Sequence, residues 1–548
     1  MRYRILVLSL ILSLITSCSK LDFDEATSMG YDASLGIPIC KYHASIFNIL
    51  ESEDSLDYIY TDLDNTLYVY WEEERQDIYF DFIEFDEGDL VSKSTSLPEM
   101  VLPRGTSYIL RDTMHYRFNY DSHSSFNVKE YTIDSIVIDK ANINLDIDLD
   151  GIELGKNSYI DLTYEIPDIK DYDKNRFNAV ITKNHANIRR VIPRFTADFS
   201  NQSSRENIVD MVYEYKIVSD GTTTISKNAT IDYSTQFNLI QYNVAYGRFW
   251  EKQTVFDTVI GVKLPKELLD LYYEDDNNRL LFHDPIITFY VAHNLGADLR
   301  YVVDSIRTLD KNGNTLEYAD FGGSKSYTNS LKKATTPFEY VYDTIVINRE
   351  NGNTHRLYSM QPDSMVMNCH VYVGKTDGGH NDFIVNPMNM IVDVTTHINA
   401  DFDAGTSFST TDTVDADIAS VDTSFTDYAR IKEFYIILRA ANSLPVQATV
   451  DVIMLDENDK ELYRKPSIVL DCPDVDERGV TVEPTDQRIE LHFTGDEVMN
   501  ILKTKKICFT VNLRGKDAES MLSIRADNAI DINVSAYGVF RIKTDNLK

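Results

Sequence analysis

Tryptophan, cysteine, glycine and proline are all scarce in this 548-residue chain, which has 2 Trp, 5 Cys, 22 Gly and 14 Pro against 34 Tyr and 25 Phe. Many tyrosines with few glycines and prolines are typical of long β-strands. The cysteines are too few for the disulfide framework of small secreted domains, and no C-x-x-C pair indicates a redox motif or a zinc ribbon. Isolated buried thiols are therefore favoured over disulfides, although three pairings stay open among the four cysteines downstream of Cys18, namely Cys40, Cys369, Cys472 and Cys508.

Basic residues are outnumbered, with 53 Lys and Arg against 87 Asp and Glu, which gives a formal net charge of −34. A chain this acidic repels nucleic acid and anionic lipid headgroups, so we expect no nucleic-acid partner. With 43% hydrophobic residues the chain can bury real cores, and its length fits about three domains.

No run of 18 consecutive apolar residues occurs, so no transmembrane helix is predicted. The apolar stretch at residues 5–15 follows two arginines and has the proportions of a secretory signal. It runs into Ile-Thr-Ser-Cys, which resembles the bacterial lipobox, in which the cysteine is acylated and the signal is cut off before it. The resemblance implies a signal peptide at 1–17 and a lipid anchor such as palmitate on Cys18, the alternative being an ordinary signal that ends near Ser17.

Strict alternation of apolar and polar residues dominates the rest of the chain. Ile143, Leu145, Ile147 and Leu149, for example, alternate with Asn and Asp, as in strands with one buried face. Helical patterns are confined to short segments at residues 42–52, 265–275 and 495–506, the last with Asp496 as its cap and three lysines in its last turn.

One pattern of strand, corner, strand and hairpin recurs. Residues 289–318 can be laid over 434–463, with a corner at Asn-Leu-Gly or Asn-Ser-Leu-Pro and a hairpin at Leu-Asp-Lys-Asn-Gly-Asn or Leu-Asp-Glu-Asn-Asp-Lys. Residues 142–167 form a weaker third copy. We therefore predict an all-β fold of several immunoglobulin-like β-sandwich modules in tandem, with a few short helices.

Composition and the repeat divide the chain into six ranges. No Lys or Arg occurs between Lys375 and Arg430, and residues 401–429 are rich in Asp, Ser and Thr. The predicted ranges are a signal peptide at 1–17, a tether at 18–34, an N-terminal β-rich region at 35–250, a middle β-sandwich module at 251–400, an acidic Ser/Thr-rich linker or loop at 401–429, and a C-terminal β-sandwich module at 430–548.

An acidic cluster, Ser-Lys-Leu-Asp-Phe-Asp-Glu, follows Cys18 directly. It resembles the surface-export signal of Bacteroidetes lipoproteins, and it also suits a flexible tether. Together with the lipobox and the repeated β corners, it makes the whole chain resemble uncharacterised surface lipoproteins of the Bacteroidetes. The resemblance implies lipid anchoring at the outer membrane and display on the cell surface, and it carries no catalytic motif.

Patterns for known chemistry are incomplete or missing. Asp146, Asp148, Asp150 and Gly151 match the opening of a calcium loop, but Asn157 stands where a bidentate Glu is needed, so a solvated acidic strand face is the better interpretation. The sequence contains no H-E-x-x-H, G-x-S-x-G, P-loop or G-x-G-x-x-G motif. We expect no catalytic residue, no metal and no cofactor.

An Asp followed by Ser or Thr and an apolar residue recurs eight times and resembles the O-glycosylation motif of exported Bacteroidetes proteins. The other interpretation is that Asp-Ser/Thr opens strands, and the two are compatible. The candidate acceptors are Ser55, Thr113, Ser135, Thr258, Ser305, Thr344, Ser364 and Thr413.

These features favour a non-catalytic, lipid-anchored envelope protein that is exposed at the surface and has a structural or adhesive role. Its expected partners are the outer membrane, reached through the anchor, and glycans or other surface proteins. The first alternative is a glycan-binding accessory of an outer-membrane nutrient-uptake system. The scarcity of tryptophan weakens this alternative, because only Trp71 and Trp250 are present, and tyrosine-based sites such as those around Tyr272 and Tyr273 would have to bind the sugar. The second alternative is a glycoside hydrolase, for which no carboxylate pair can be identified by spacing.

Overall fold

Long antiparallel strands make up most of the chain in the computed structural model. Two compact units can be distinguished: unit 1 combines residues 1–69, 266–283 and 399–548, and unit 2 combines residues 70–265 and 284–398. The residues that the structure describes are 30–45, 58–80, 84–85, 90–117, 120–121, 131–170, 175–200, 207–250, 252–273, 278–375, 381–416, 418, 429–515 and 521–543.

The strands are numbered in chain order. The first twelve are β1 (Gly30–Ser45), β2 (Ile59–Thr61), β3 (Leu67–Glu72), β4 (Gln76–Phe80), β5 (Glu84–Phe85), β6 (Val91–Ser96), β7 (Met100–Leu102), β8 (Thr106–Arg117), β9 (Tyr120–Asp121), β10 (Tyr131–Glu153), β11 (Tyr159–Glu165) and β12 (Ile169–Lys170). The next twelve are β13 (Arg176–Ile181), β14 (His185–Asp198), β15 (Ile208–Ser219), β16 (Thr223–Phe249), β17 (Lys252–Lys263), β18 (Ile286–His293), β19 (Leu299–Leu309), β20 (Thr315–Tyr318), β21 (Tyr327–Leu331), β22 (Val341–Ile347), β23 (Ser364–Val373) and β24 (Asp382–Val385).

The remaining strands are β25 (Met388–Asn399), β26 (Asp401–Phe402), β27 (Ser407–Asp415), β28 (Ala429–Asn442), β29 (Gln447–Leu455), β30 (Glu461–Leu470), β31 (Thr485–Thr494), β32 (Lys506–Arg514), β33 (Leu522–Ser523) and β34 (Ala529–Lys543). The helices of the described residues are short: α1 (Lys266–Tyr273), α2 (Arg349–Gly352), α3 (Thr354–Ser359) and α4 (Asp496–Ile501).

The first sandwich belongs to unit 2. One sheet has the order β12-β14-β10-β16-β24, with β6 and β7 also paired to β16, and the other has the order β13-β11-β15-β8. Aromatic side chains connect the two sheets, because Tyr213 packs on Tyr233 at 4.8 Å between ring centroids and donates to or accepts from Thr235 Oγ1 at 2.8 Å. Each such buried aromatic side chain stabilises the fold by about 2–3 kcal/mol.

The second sandwich also belongs to unit 2. One sheet has the order β17-β23-β19-β20, with β21 also on β19, and the other places β18 between β25 and β22, with β4 also paired to β25. Phe289 of β18 and Tyr301 of β19 lie 5.9 Å apart between ring centroids and connect the two sheets.

The third sandwich belongs to unit 1 and joins the two ends of the described chain. Its sheets have the orders β1-β34-β28-β31 and β27-β32-β29-β30. Strand β1 pairs with β34 from Gly30↔Lys543 to Ser45↔Ala529, with a bulge near Pro38. Tyr42 of β1 stacks on Phe509 of β32 at 4.5 Å, so the first strand supplies core side chains to this sandwich.

The repeat seen in the sequence is present in the fold. In both copies the first strand (β18 or β28) lies in one sheet, and the hairpin after the corner (β19-β20 or β29-β30) lies in the other. The hairpin loops match in detail, since Asp310 Oδ1 accepts from the backbone N–H of Asn312 and Asn314, both at 2.8 Å, as Asp456 Oδ1 does from the second and fourth residues after it. The third residue after this aspartate has positive φ in both copies, 79° at Gly313 and 59° at Asp459. This is a three-residue hairpin loop with a left-handed last position.

The all-β fold with β-sandwich modules is thus confirmed, but the units do not coincide with the predicted ranges. The C-terminal range 430–548 lacks β1 and β27, which complete its two sheets. Residues 401–415, expected within a linker or loop, contain β26 and β27, and β27 pairs with β32 from Ser407↔Arg514 to Asp415↔Lys506. The composition of β27 is polar because it is an edge strand of which only Phe408 is fully buried.

The helix predictions have mixed outcomes. Helix α1 lies within the predicted range 265–275. Helix α4 begins after Gly495 and ends at Ile501, so the three predicted lysines lie beyond its last turn. The helix stops there because Thr504 Oγ1 donates to the Ile501 carbonyl and the chain then enters β32. Residues 42–45 belong to β1 instead of a helix, and residues 46–52 lie outside the described residues.

Candidate functional site

The acidic segment of β10 is a strand with one solvated face, as the sequence predicts. Ile143, Leu145 and Ile147 are buried, whereas Asp148 and Asp150 are exposed. Across the described residues, no group of three or more His, Cys, Asp or Glu side chains is arranged to hold a metal ion.

An open cleft of about 470 Å³ lies on this outer face of the first sandwich. The strand register places polar residues of three neighbouring strands side by side. Two rows cross the floor of the cleft, one formed by Asp148, Asp232 and Ser94 and the other by Asp146, Ser234 and Ser92.

Strand β14 extends both rows. His185 Nδ1 lies 2.8 Å from Asp148 Oδ1, and Asn187 Nδ2 donates to Asp146 Oδ1 at 3.3 Å. The hydrogen bond to Asp148 and the charges of both aspartates raise the pKa of His185 above its ordinary value. The cleft therefore offers carboxylates and hydroxyls, with an imidazole on the neighbouring strand, and these groups can form hydrogen bonds with a polar ligand.

A polar network lies behind the cleft, between the two sheets of the first sandwich. Asp112 of β8 accepts hydrogen bonds from Lys93 and Thr95 of β6 and, at 2.8 Å, from the hydroxyl of Tyr233. Burial alone would raise the pKa of Asp112, but these three donors and the backbone N–H of Thr113 outweigh it and lower the pKa to about 2. The Lys93 ammonium also donates to the Thr113 carbonyl of β8 at 2.7 Å. Together with the hydrogen bonds to Asp112, this contact connects β6 and β16 to the opposite sheet.

A histidine-carboxylate pair in the second sandwich was missed by the sequence analysis. His370 Nδ1 lies 2.6 Å from Asp304 Oδ2, and the histidine is 7% exposed. Its Nε2 has no hydrogen-bond partner among the described residues, whereas a catalytic pair would direct that nitrogen at a nucleophile. Only the strand register, which places β19 beside β23, brings these two residues together.

The predicted modification sites are spread over the molecule. Cys18 and Ser55 lie outside the described residues, and Thr258 is described for its backbone alone, within β17. Thr344 and Thr413 are exposed, and the partly buried candidates are Thr113, Ser135, Ser305 and Ser364. Of the six candidates with described side chains, Ser364 alone begins a strand and the others lie within strands, so Asp-Ser/Thr does not mark strand starts in general. No disulfide connects the cysteines of the described residues, and Cys369 is buried.

The aromatic residues singled out in the sequence are mostly core. Trp71 and Tyr272 are buried at 4% and 1% exposure, and Tyr273 is exposed. Tyrosines that the sequence analysis did not single out are far more accessible, with Tyr342 at 71% and Tyr79 at 69%. The alternation in Tyr-Val-Tyr-Asp-Thr-Ile-Val-Ile already places Tyr342 on the face opposite the buried Ile345 and Ile347. The sequence could therefore have indicated that Tyr342 is exposed.

Comparison with protein-family models and with curated proteins gives no match. Among solved structures, a Parabacteroides distasonis protein designated as secreted is similar with a TM-score of 0.34 and 13% identity, over 54% of this chain and 89% of that one. A structure of infectious bursal disease virus, Gt strain, is similar with a TM-score of 0.14 and 7% identity, over 85% of this chain and 83% of that one. At these values neither similarity bears on what the chain does.

No helix in the described part of the chain has both the length and the apolar character needed to cross a bilayer.

Proposed function

We propose that this chain is a non-catalytic lipoprotein of the bacterial outer membrane, anchored through Cys18 and displayed at the cell surface, with a structural or adhesive role. The observation that carries the proposal is the signal-like segment at 1–17 directly before Cys18, followed by a fold of β-sandwiches from Gly30 onward. The net charge of −34 suits a solvated outer surface and disfavours adsorption to anionic lipid headgroups.

The attachment of the anchor to the fold supports a role under load. Residues 30–34 of the predicted tether already belong to β1, and β1 pairs with β34 at 15 positions. A force applied to the anchor along β1 would have to shear many backbone hydrogen bonds together, since neighbouring pairs share the load. This arrangement suits a protein that stays attached to the cell surface while a binding partner pulls on it.

Cross-linking of intact cells, followed by capture of this protein and mass spectrometry, tests the proposal. Recovery of fibre subunits or host glycoproteins would support adhesion. Recovery of periplasmic proteins alone would contradict surface display.

A second candidate function is glycan binding as an accessory of an outer-membrane nutrient-uptake system. The observation that favours it is the group of exposed tyrosines on the second sandwich, including Tyr79, Tyr290 and Tyr342. Recovery of an outer-membrane transporter and its lid lipoprotein in the same cross-linking experiment would favour this candidate over adhesion.

A further inference from the structure

Exposed aromatic side chains gather on the outer face of the sheet that contains β4, β25, β18 and β22 in the second sandwich. The tyrosine face is defined here as Tyr79 of β4, Tyr290 of β18, Tyr340 just before β22, and Tyr342 and Val346 of β22. Their exposed fractions are 69%, 47%, 38%, 71% and 41% in that order.

The strand register places these side chains in adjacent rows of one face. Tyr290 lies opposite Thr344 on β22 and opposite Asp393 on β25, and in the next row Ala292 lies opposite Tyr342. Tyr290 and Tyr342 are therefore diagonal cross-strand neighbours, a relation that brings residues to about 7–8 Å and within reach of long side chains.

Polar groups lie among the rings. Asn389, which is 9% exposed and pairs with Tyr79 across the strands, donates from Nδ2 to the Tyr340 hydroxyl at 3.1 Å. Its Oδ1 has no hydrogen-bond partner among the described residues and is itself buried, so a ligand reaches this acceptor only if neighbouring side chains move. Arg75 holds Asp393 through two hydrogen bonds of 3.0 and 3.1 Å, which fixes a carboxylate in the row of Tyr290.

The size of the face indicates a small ligand. Given the usual area of an aromatic side chain, Tyr79, Tyr290 and Tyr342 together expose about 400 Å². A stable protein interface needs about 800 Å² from each partner, so these rings alone are too small for a second copy of the chain or for another globular protein.

The charge of the face indicates a neutral ligand. Arg75 and Asp393 compensate each other, which leaves Asp77 as the charged residue without a counter-charge at the register positions described here. In a chain of net charge −34, a face of tyrosines with one ion pair and the additional carboxylate of Asp77 disfavours a polyanion, and a single carboxylate attracts a cation only weakly.

We propose that the tyrosine face binds a neutral oligosaccharide. The flat phenol rings would pack against the C–H faces of successive sugar rings, and sugar hydroxyls would donate to the partly exposed carboxylate of Asp393. The proposal rests on the glycan-binding candidate above, and it specifies the ligand class and the residues that bind it.

The test uses the soluble chain without residues 1–18 and four neutral probes, cellohexaose, maltohexaose, mannohexaose and chitohexaose, with hexagalacturonate as an anionic comparison. Calorimetric titration is expected to show binding of at least one neutral probe and weaker binding of the anionic one. Tyr342→Ala and Tyr290→Ala should each weaken binding about tenfold, whereas Tyr342→Phe should change it less than threefold. Tyr273→Ala, at the exposed tyrosine of unit 1 that the sequence suggests as an alternative sugar site, should leave the affinity unchanged, and a loss of binding in this variant would overturn the proposal.

The proposal is overturned if none of the neutral hexasaccharides binds, if hexagalacturonate binds best, or if the double variant of Tyr290 and Tyr342 binds as well as the original chain. Sedimentation of that double variant also tests the proposal. If the original chain self-associates and the double variant does not, the tyrosine face is a protein interface and the proposal is overturned. Accessibility of the double variant to protease on intact cells separates failure of the sugar-binding inference from failure of the proposed surface display. A displayed protein that binds no probe refutes this inference alone, and a protein that is not displayed refutes the proposed function.

Discussion

Removing the ammonium of Lys333 should destabilise unit 2 much more than removing that of its neighbour Lys332. Lys333 Nζ lies 2.8 Å from Asp382 Oδ1, and the side chain of Asp382 is 0% exposed. The second oxygen of Asp382 has no hydrogen-bond partner among the described residues. Lys333→Met therefore leaves a buried carboxylate without its counter-charge, which costs about 3–5 kcal/mol of unfolding free energy.

Lys332→Met is the matched control. Lys332 Nζ lies 3.3 Å from Asp343 Oδ1, and the lysine side chain is 72% exposed whereas that of Asp343 is 13% exposed. Asp343 Oδ2 also accepts from the backbone N–H of Lys332 at 2.6 Å, a donor that the variant keeps, so loss of the water-screened ammonium should cost about 0–1 kcal/mol. The two variants remove the same charge from adjacent positions, so the difference between them reflects the complete burial of Asp382 and the backbone donor that Asp343 retains.

Hydrogen exchange at neutral pH measures the effect locally. Peptides that cover β24, Asp382–Val385, should exchange much faster in Lys333→Met than in Lys332→Met. The double variant Lys333→Met/Asp382→Asn, which no longer buries a charge, should regain part of the lost protection. Equal protection in the two lysine variants, or a double variant less protected than Lys333→Met, would refute the reasoning.

Three further predictions concern acid stability, modification and a turn. Burial lowers the pKa of His293 from 6.5 to about 4, so the unfolded chain binds this proton at a higher pH than the folded chain. The unfolding free energy should therefore fall by about 3 kcal/mol as the pH drops from 7 to 4, and urea titrations of His293→Gln should lack that part of the slope. If the native protein carries O-glycans, glycopeptide mass spectrometry should find higher occupancy at the exposed Thr344 and Thr413 than at Ser135, which is partly buried in a strand. A native mass equal to that of the lipidated polypeptide would exclude the modification. Asp310→Ala should lower the melting temperature measured by calorimetry, because two backbone N–H groups lose their acceptor, whereas Asp310→Asn keeps it. Equal melting of the two variants would contradict this.

Local features of the fold could be predicted from the sequence because their causes are local. The alternation around Ile143 and Leu145 determines which face of β10 is buried. The spacing of Asp310 and Gly313 determines the hairpin loop, since the carboxylate accepts from the backbone and glycine tolerates positive φ. These features depend on neighbours within a few positions along the chain.

Pairings between distant segments could not be predicted in the same way. Tyr42 stacks on Phe509 because β1 joins a sheet formed by the other end of the chain, and no local pattern specifies that partner. The tyrosine face likewise depends on the register of β4, β25, β18 and β22, which brings Tyr79, Tyr290 and Tyr342 to one surface. Exposure of single tyrosines can be inferred from alternation, but their grouping requires the sheet order.

Surface display through Cys18 is the central claim, and protease treatment of intact cells tests it most directly. Protease added outside should digest the original chain while a periplasmic marker stays intact. Cys18→Ser, which cannot be acylated on sulfur, should be lost from the membrane fraction. Protection of the original chain until the cells are broken, or membrane retention of Cys18→Ser equal to that of the original chain, would contradict the account.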